Sequence, residues 1–388
     1  MTDRYIGLAG IGVCLSCLLF LSSATASPAE DKIVIKTENG IPVFYNPKNP
    51  APPGGSPRSL TLQHDLTIGE DDTDPNSMFS ELRSIQVDDE ENIYALDMKE
   101  IKVKVYDKNG KFLRSFGKKG KGPGEIDTPI RMEMTRDGKI VIDDMGNNKL
   151  IFFGPDGSCI KELPTGKYWA LIRFKFDSGG NIYADTRAYE ETKMTSELKK
   201  FDPDFKPLAT FASFEERRPD RRLIRVFSPV FSLQMRGDDR LVWTTAETEK
   251  YEFTIVNTDG KIVKRIVREP SPVKITGVLK DRLIQESWGE KGIPAEVKFE
   301  VPSYFPSVYY FIIDDEDRLF VGTYAYEEKD GDYCRYYDVF DAEGRYIAKF
   351  CHPRREMVFQ AKKGRLYCMV QESEGGIPLV KRYRMIWK

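Results

Sequence analysis

A strand–turn–strand phrase that returns six times governs what this chain can become. Its clearest copy runs from Arg83 to Asp97, with Asp88-Asp89-Glu90-Glu91 as the turn and Asn92-Ile93-Tyr94-Ala95-Leu96 opening the return strand. A second phrase follows at once, Val105-Tyr106-Asp107-Lys108-Asn109-Gly110-Lys111-Phe112, in which Gly110 supplies the positive φ of a tight hairpin. Together they spell four consecutive antiparallel strands. One such unit cannot bury both of its faces alone, so its repetition predicts a closed radial array, an all-β propeller.

The turn between the two inner strands serves as a ruler. It recurs at Asn92-Ile93-Tyr94, Lys139-Ile140-Val141, Asn181-Ile182-Tyr183, Arg240-Leu241-Val242, Arg318-Leu319-Phe320 and Arg365-Leu366-Tyr367, at intervals of 47, 42, 59, 78 and 47 residues. The shorter intervals suit a four-stranded blade and the longer ones mark insertions. Six copies predict six blades over residues 59–388. The sixth unit lacks an outermost strand, while Leu60–Ile68 precedes the first unit and belongs to none. We therefore expect this amino-terminal strand to complete the last blade and close the ring.

Three stretches depart from the repeat. Residues 269–304 form an insertion with Ile275, Val278, Leu279, Arg282, Leu283 and Glu286 at helical spacing, with Ser271-Pro272 as its start and Gly289 as its stop. Residues 214–225 read as a charged connector. Residues 27–58, rich in proline and glycine, read as an extended, partly mobile lead-in.

Residues 1–26 stand apart from the fold. Ile6 to Leu21 is apolar and Ala24-Thr25-Ala26 offers a cleavage site, the pattern of a secretory signal peptide. An uncleaved anchor is the competing reading, because the apolar run approaches the roughly 20 residues that span a bilayer. The expected localisation is periplasmic or secreted, with membrane contact only if the segment is retained. Lys plus Arg number 59 and Asp plus Glu 61, a formal net charge of −2. That balance lacks the basic footprint of a nucleic-acid binder, and no nucleic-acid partner is expected.

Four cysteines lie beyond the signal segment. Folding about Asp341-Ala342-Glu343-Gly344 sets Cys334 opposite Cys351, within a residue of register, so these two are the candidate disulfide. Free buried thiols are the alternative. The only Cys-x-x-Cys pair, Cys14 and Cys17, lies in the segment to be removed, so a zinc or redox site is not expected.

Asn92-Ile93-Tyr94, Val105-Tyr106-Asp107, Gly110-Lys111-Phe112 and the run Gly117 through Gly120-Lys121-Gly122-Pro123-Gly124-Glu125 resemble NHL-type six-bladed propellers of exported bacterial proteins. The likeness covers roughly residues 59–388 and is strongest in the first two blades. It implies the fold. It leaves function open, because proteins that look like this include binding modules, sugar-lactone hydrolases and lyases.

No catalytic motif stands out. Gly117 to Gly124 has the glycine spacing of a phosphate loop, but Pro123 occupies the lysine position and strands flank it. His64 and His352 are the only histidines, too few for a His-rich zinc centre. The resemblance to lactonase-like propellers implies that calcium is the possible cofactor, with Asp143 and Asp144 as candidate ligands in an Asp/Asn-rich loop. Propeller geometry brings the starts of the inner strands and the nearby loops to one face. Arg83, Arg131, Trp169, Arg187, Tyr189, Tyr309, Tyr324 and Tyr326 are thereby the candidate ligand-binding residues, arginine offering a planar donor fork and tyrosine a flat face with one hydroxyl. The leading expectation is an exported, non-catalytic module that binds a protein, peptide or glycan on its loop-rich face. A calcium-assisted hydrolase or lyase acting in the central funnel is the alternative.

Overall fold

Tight turns with fixed chemistry set the strand boundaries throughout. The computed structural model describes residues 32–388 except 58, 72, 167, 169–170, 190–192, 218–221, 228–229, 248, 289–292, 295, 330–331 and 372–375. The expected signal peptide and the expected helix stop at Gly289 lie outside these residues. In the outer hairpins an Asp or Asn at the first turn position folds back on the backbone. Asp107 Oδ1 accepts from the amides of Asn109 and Lys111, and Asp202, Asn257 and Asp341 repeat the pattern. Asp88 and Asp314 do the same in the inner turns, which accounts for the acidic runs there.

The strands so delimited form six blades. Blade 1 comprises Leu82–Val87, Ile93–Asp97, Lys102–Tyr106 and Phe112–Phe116; blade 2 comprises Pro129–Met134, Ile140–Asp144, Lys149–Phe153 and Cys159–Pro164. Blade 3 comprises Leu171–Phe176, Ile182–Tyr189, Lys193–Phe201 and Pro207–Arg217, and blade 4 Phe231–Met235, Leu241–Thr245, Glu252–Val256 and Ile262–Arg268. Blade 5 comprises Tyr310–Ile313, Leu319–Lys329, Asp332–Phe340 and Tyr346–Pro353. Blade 6 comprises Glu356–Lys362, Arg365–Val370, Leu379–Trp387 and, last, Leu60–Ile68. The closing pair is antiparallel, with Leu60 opposite Trp387 and Ile68 opposite Val380. The protein is a six-bladed β-propeller closed by its amino-terminal strand.

The core follows from this arrangement. Second and third strands are sandwiched between neighbouring blades, so Ile93–Asp97, Ile140–Asp144 and Lys149–Phe153 are buried at every position. The outermost strands face solvent on one side, and Phe112–Phe116 accordingly alternates. Apolar side chains gather in six clusters, one per blade interface. Tyr94, Val105, Met132, Ile142 and Phe153 fill the interface of blades 1 and 2, and Ile85, Tyr106, Tyr367 and Val380 that of blades 6 and 1. Each such aromatic or aliphatic side chain contributes about 1.5–3 kcal/mol of transfer free energy.

Three details differ from the sequence expectation. The lead-in contains a hairpin, Val34–Glu38 and Ile41–Asn46, whose second strand pairs in parallel with Ile262–Arg268 and widens the blade 4 sheet to six strands. Asn46 fastens it, donating to Val267 O and Gly344 O and accepting from the Tyr346 amide. Proline and glycine at 47–55 masked the apolar Val43 and Phe44 just before them, both buried. The single helix among the described residues, Gly277–Trp288, begins after Thr276, whose carbonyl accepts from the Lys280 amide at 2.8 Å. Ile275 is held extended by Ser303 O at 2.9 Å, so the helix cannot start at Ser271. Phe214 to Arg217, expected in a connector, end the outer strand of blade 3, while Leu223–Arg225 pairs in parallel with Lys298–Glu300.

Candidate functional site

All six innermost strands send alternate side chains into a central channel, where a cavity of about 360 Å³ opens. Near its mouth, where these strands begin, stand Arg83, Ser84, Arg131, Arg173, Ser232 and Tyr310. One pleat deeper come Gln86, Glu133, Lys175, Gln234, Ile312 and Gln360. The deeper charges cancel: Lys175 Nζ lies 2.7 Å from Glu133 Oε2, to which Gln86 also donates at 3.3 Å.

At the mouth the charges do not cancel. Arg131 sits directly across the blade 2 strand pair from Asp143, and Arg173 sits across the blade 3 pair from Asp185. The two blades thus carry the same Arg–Asp couple one repeat apart. Asp143 Oδ2 accepts from the Leu171 amide of blade 3 at 3.1 Å, which couples the blades. Asp185 faces the Phe231 amide of blade 4 in the same way, but neither of its carboxylate oxygens makes a hydrogen bond of normal geometry. Arg187 Nε, near Asp185, is also buried without a partner. Buried polar groups in this state mark places where something other than stability has shaped the residue choice.

Electrostatics follow from that geometry. Burial pushes the Asp143 carboxyl up to about 7, against the pull of the Leu171 amide and Arg131. Burial likewise pushes Asp185 up to about 7, against Arg187 and Arg173. Desolvation, reinforced by Arg131, brings Arg173 down to about 10, and desolvation also lowers Arg131, with Arg83 adding to the effect. Both arginines stay charged at neutral pH. Arg131, Arg173 and Arg187 therefore face two carboxyl groups that are only partly ionised, Arg83 stands beside Arg131, and the mouth is positive. Arg83 is also tethered, donating through Nε to Ile130 O at 3.3 Å.

An aromatic wall adjoins the arginines. Tyr309 is 39% exposed and lies next to Arg173. Its ring carries the Arg335 guanidinium 3.9 Å from the centroid and packs edge-on against Tyr310 and Tyr324, each at 5.1 Å. Tyr324 stacks on Phe305 at 4.6 Å, and burial raises its hydroxyl well above the usual tyrosine range. It supports the wall from behind. Tyr326 lies farther out, exposed on the long hairpin of blade 5, opposite Arg335 and packed on Tyr333. Tyr189 ends the second strand of blade 3, but its side chain, like Trp169, lies outside the described residues.

Asp143 and Asp144 are not in a loop. They are the last two residues of a strand, and successive strand residues point to opposite faces. Asp144 turns to the connector, accepting from the Asp127 and Thr128 amides at 3.0 and 2.8 Å and from Asn147 Nδ2 at 2.7 Å. Asp97 fills the same place in blade 1, accepting from the Ser80 and Glu81 amides. Asp144 is thus a clamp on the chain entering the inner strand. The glycine-rich run at 117–124 is pinned too, Glu125 accepting from the Gly122 amide and from Lys118.

Arg173, Lys175, Asp185 and Arg335 were missed by sequence reasoning. The 42-residue interval between the second and third rulers carries Arg131 onto Arg173, Glu133 onto Lys175 and Asp143 onto Asp185, so the repeat itself held three of them. Cys334 and Cys351 form a disulfide, with Cα atoms 5.5 Å apart.

Residues 72–222 match the family DUF5128, described as a 6-bladed beta-propeller. No curated protein matches the chain. Among solved structures, a Bacteroides fragilis NCTC 9343 protein described as exported shares the fold at 13% identity and a TM-score of 0.54, covering 89% of this chain and 99% of that one. A member of the duf4221 family from Bacteroides vulgatus is 10% identical with a TM-score of 0.50, covering 85% and 99%. A gluconolactonase from Xanthomonas campestris is 13% identical over 87% and 99%, with a TM-score of 0.44, a likeness that carries nothing about chemistry.

Proposed function

We propose that this propeller is an exported binding module that takes a carboxylate-bearing peptide or glycan at its channel mouth. One observation carries the reading: Arg83, Arg131 and Arg173 gather from three consecutive blades around a positive opening, with Arg187 close behind Arg173, beside the exposed face of Tyr309. Guanidinium forks grip carboxylates in two-pronged fashion, and a tyrosine face accepts a sugar ring or an apolar side chain. The Cys334–Cys351 disulfide suits an oxidising compartment, periplasmic or extracellular. No described helix is long and apolar enough to cross a membrane.

Calorimetry tests this with uronate oligosaccharides, Asp/Glu-rich peptides and the amidated, uncharged form of each. Charged ligands should bind and their amides should not. The Arg131→Gln/Arg173→Gln variant should lose at least about a hundredfold in affinity, since charge-assisted bonds contribute about 1.5–3 kcal/mol each. Equal binding of charged and amidated ligands, or an unaffected double variant, refutes the reading.

A second reading draws on Asp143 and Asp185, whose carboxyl groups titrate near neutrality as acid–base catalysts do. It makes the channel a hydrolase or lyase site, with calcium as a possible aid. Turnover of a sugar lactone or uronate that disappears in Asp185→Asn would favour it over simple capture.

A further inference from the structure

We propose that His352, Glu356 and Cys368 bind one zinc ion between blades 5 and 6. His352 belongs to the outermost strand of blade 5, Glu356 opens the innermost strand of blade 6, and Cys368 lies in the strand beside it. They are 2%, 6% and 0% exposed. His352 Nε2 stands 3.1 Å from Glu356 Oε2 and 3.3 Å from Cys368 Sγ, and the three ligand atoms all lie within 4.8 Å of one another. Around a tetrahedral zinc, with bonds of about 2.0 Å to nitrogen and oxygen and about 2.3 Å to sulfur, such atoms sit roughly 3.3–3.6 Å apart. Little has to move.

Hydrogen bonding accounts for part of this trio, with an Nε2 proton directed at Glu356 Oε2. Nε2 carries at most one proton and cannot direct it at both neighbours, while an unprotonated Nε2 would face the carboxylate lone pairs. A cation placed among them satisfies all three. The surroundings are those of a ligand set held in place. Lys381 Nζ holds Glu356 Oε1 at 2.8 Å and the Tyr383 hydroxyl donates to Oε2 at 2.5 Å. The imidazole packs edge-on against Tyr383 at 5.0 Å and Tyr337 at 6.4 Å.

Charge and softness select the metal. Zinc takes the place of the Cys368 thiol proton, which passes to solvent. Thiolate and carboxylate then set two negative charges against the dication, with the Lys381 ammonium beside Glu356 adding one positive charge. A sulfur–nitrogen–oxygen set suits zinc and disfavours calcium. Too few histidines for a His-rich centre is no obstacle once cysteine and glutamate share the work.

The test uses the full chain without a polyhistidine tag, produced in zinc-supplemented medium, desalted and assayed by plasma mass spectrometry. Folded wild type should retain about one zinc per chain, Cys368→Ser and His352→Gln less than about a tenth of that, and Tyr383→Phe should bind about tenfold more weakly. Cobalt exchanged into wild type should show a thiolate charge-transfer band in the near ultraviolet. Zinc-free wild type, zinc retained by both ligand variants, or bound cobalt without that band overturns the proposal. Should the variants fail to fold, wild type decides it: a melting temperature unmoved by zinc and by chelator is a refutation.

Discussion

The buried carboxyl of Asp185 makes stability depend on pH in a direction opposite to that of most acids. Its value is about 7 in the folded protein against 3.8 when free, so the native state holds a proton that the unfolded chain has released. Stability from this group is full below about pH 4 and is lost as pH rises through 7. The whole shift of about three units corresponds to about 4 kcal/mol, of which about 2.5 kcal/mol falls between pH 5 and pH 8. Asp185→Asn removes the titration while keeping the shape. Urea unfolding at pH 5 and pH 8 measures the effect: the variant should gain about 2.5 kcal/mol on wild type between the two pH values, with a slope difference near pH 6 of about 1.2 kcal/mol per unit. Parallel pH profiles for the two proteins would show that the carboxylate is well solvated or paired, and the account of the channel mouth would fail. Retaining an acid so placed is expensive, which is why it points to function rather than to folding.

Other outcomes follow from the same coordinates. Replacing Cys334 and Cys351 by serine should lower the unfolding free energy by about 3 kcal/mol, as a 17-residue separation implies, and a loss under about 0.5 kcal/mol in chemical denaturation would contradict it. Lys175→Met leaves Glu133, only 5% exposed, without its cation and should cost about 3 kcal/mol. Adding Glu133→Gln should restore most of that, and no recovery in the double variant would count against the pairing. Gly157 has φ of 87° and an added Cβ would lie 2.6 Å from Phe116, whereas Gly138, at 79°, has open space. Gly157→Ala should therefore depress the melting temperature clearly more than Gly138→Ala, which carries only the roughly 1–2 kcal/mol backbone cost.

The blades were readable because turns are chemically demanding. Asp107 with Gly110 and Asp341 with Gly344 each combine a side-chain clamp with a positive φ, and few residue pairs do both. The closing strand was readable by subtraction, as a strand without a partner. Ile41–Asn46 escaped because its partner, Ile262–Arg268, is more than two hundred residues away and nothing local demands the pairing. The site was half legible. Arg83 and Arg131 reach the channel because they stand at the start of inner strands, a position the ruler fixes. Asp143 and Asp144 looked like one ligand pair only because they are adjacent in number; strand pleating sends one to the arginines and the other to the connector. Tyr324 looked available, but its place behind Tyr309 is set by packing with Phe305, which directly follows the helical insertion.

Leu60–Ile68 is synthesised before any blade, yet its partner Leu379–Trp387 follows more than three hundred residues later. Until then Leu60–Ile68 carries a bare backbone edge, open to other strands. Closure therefore comes late: this ribbon must wait while all the intervening strands are made, and a product truncated before residue 379 stays unlatched.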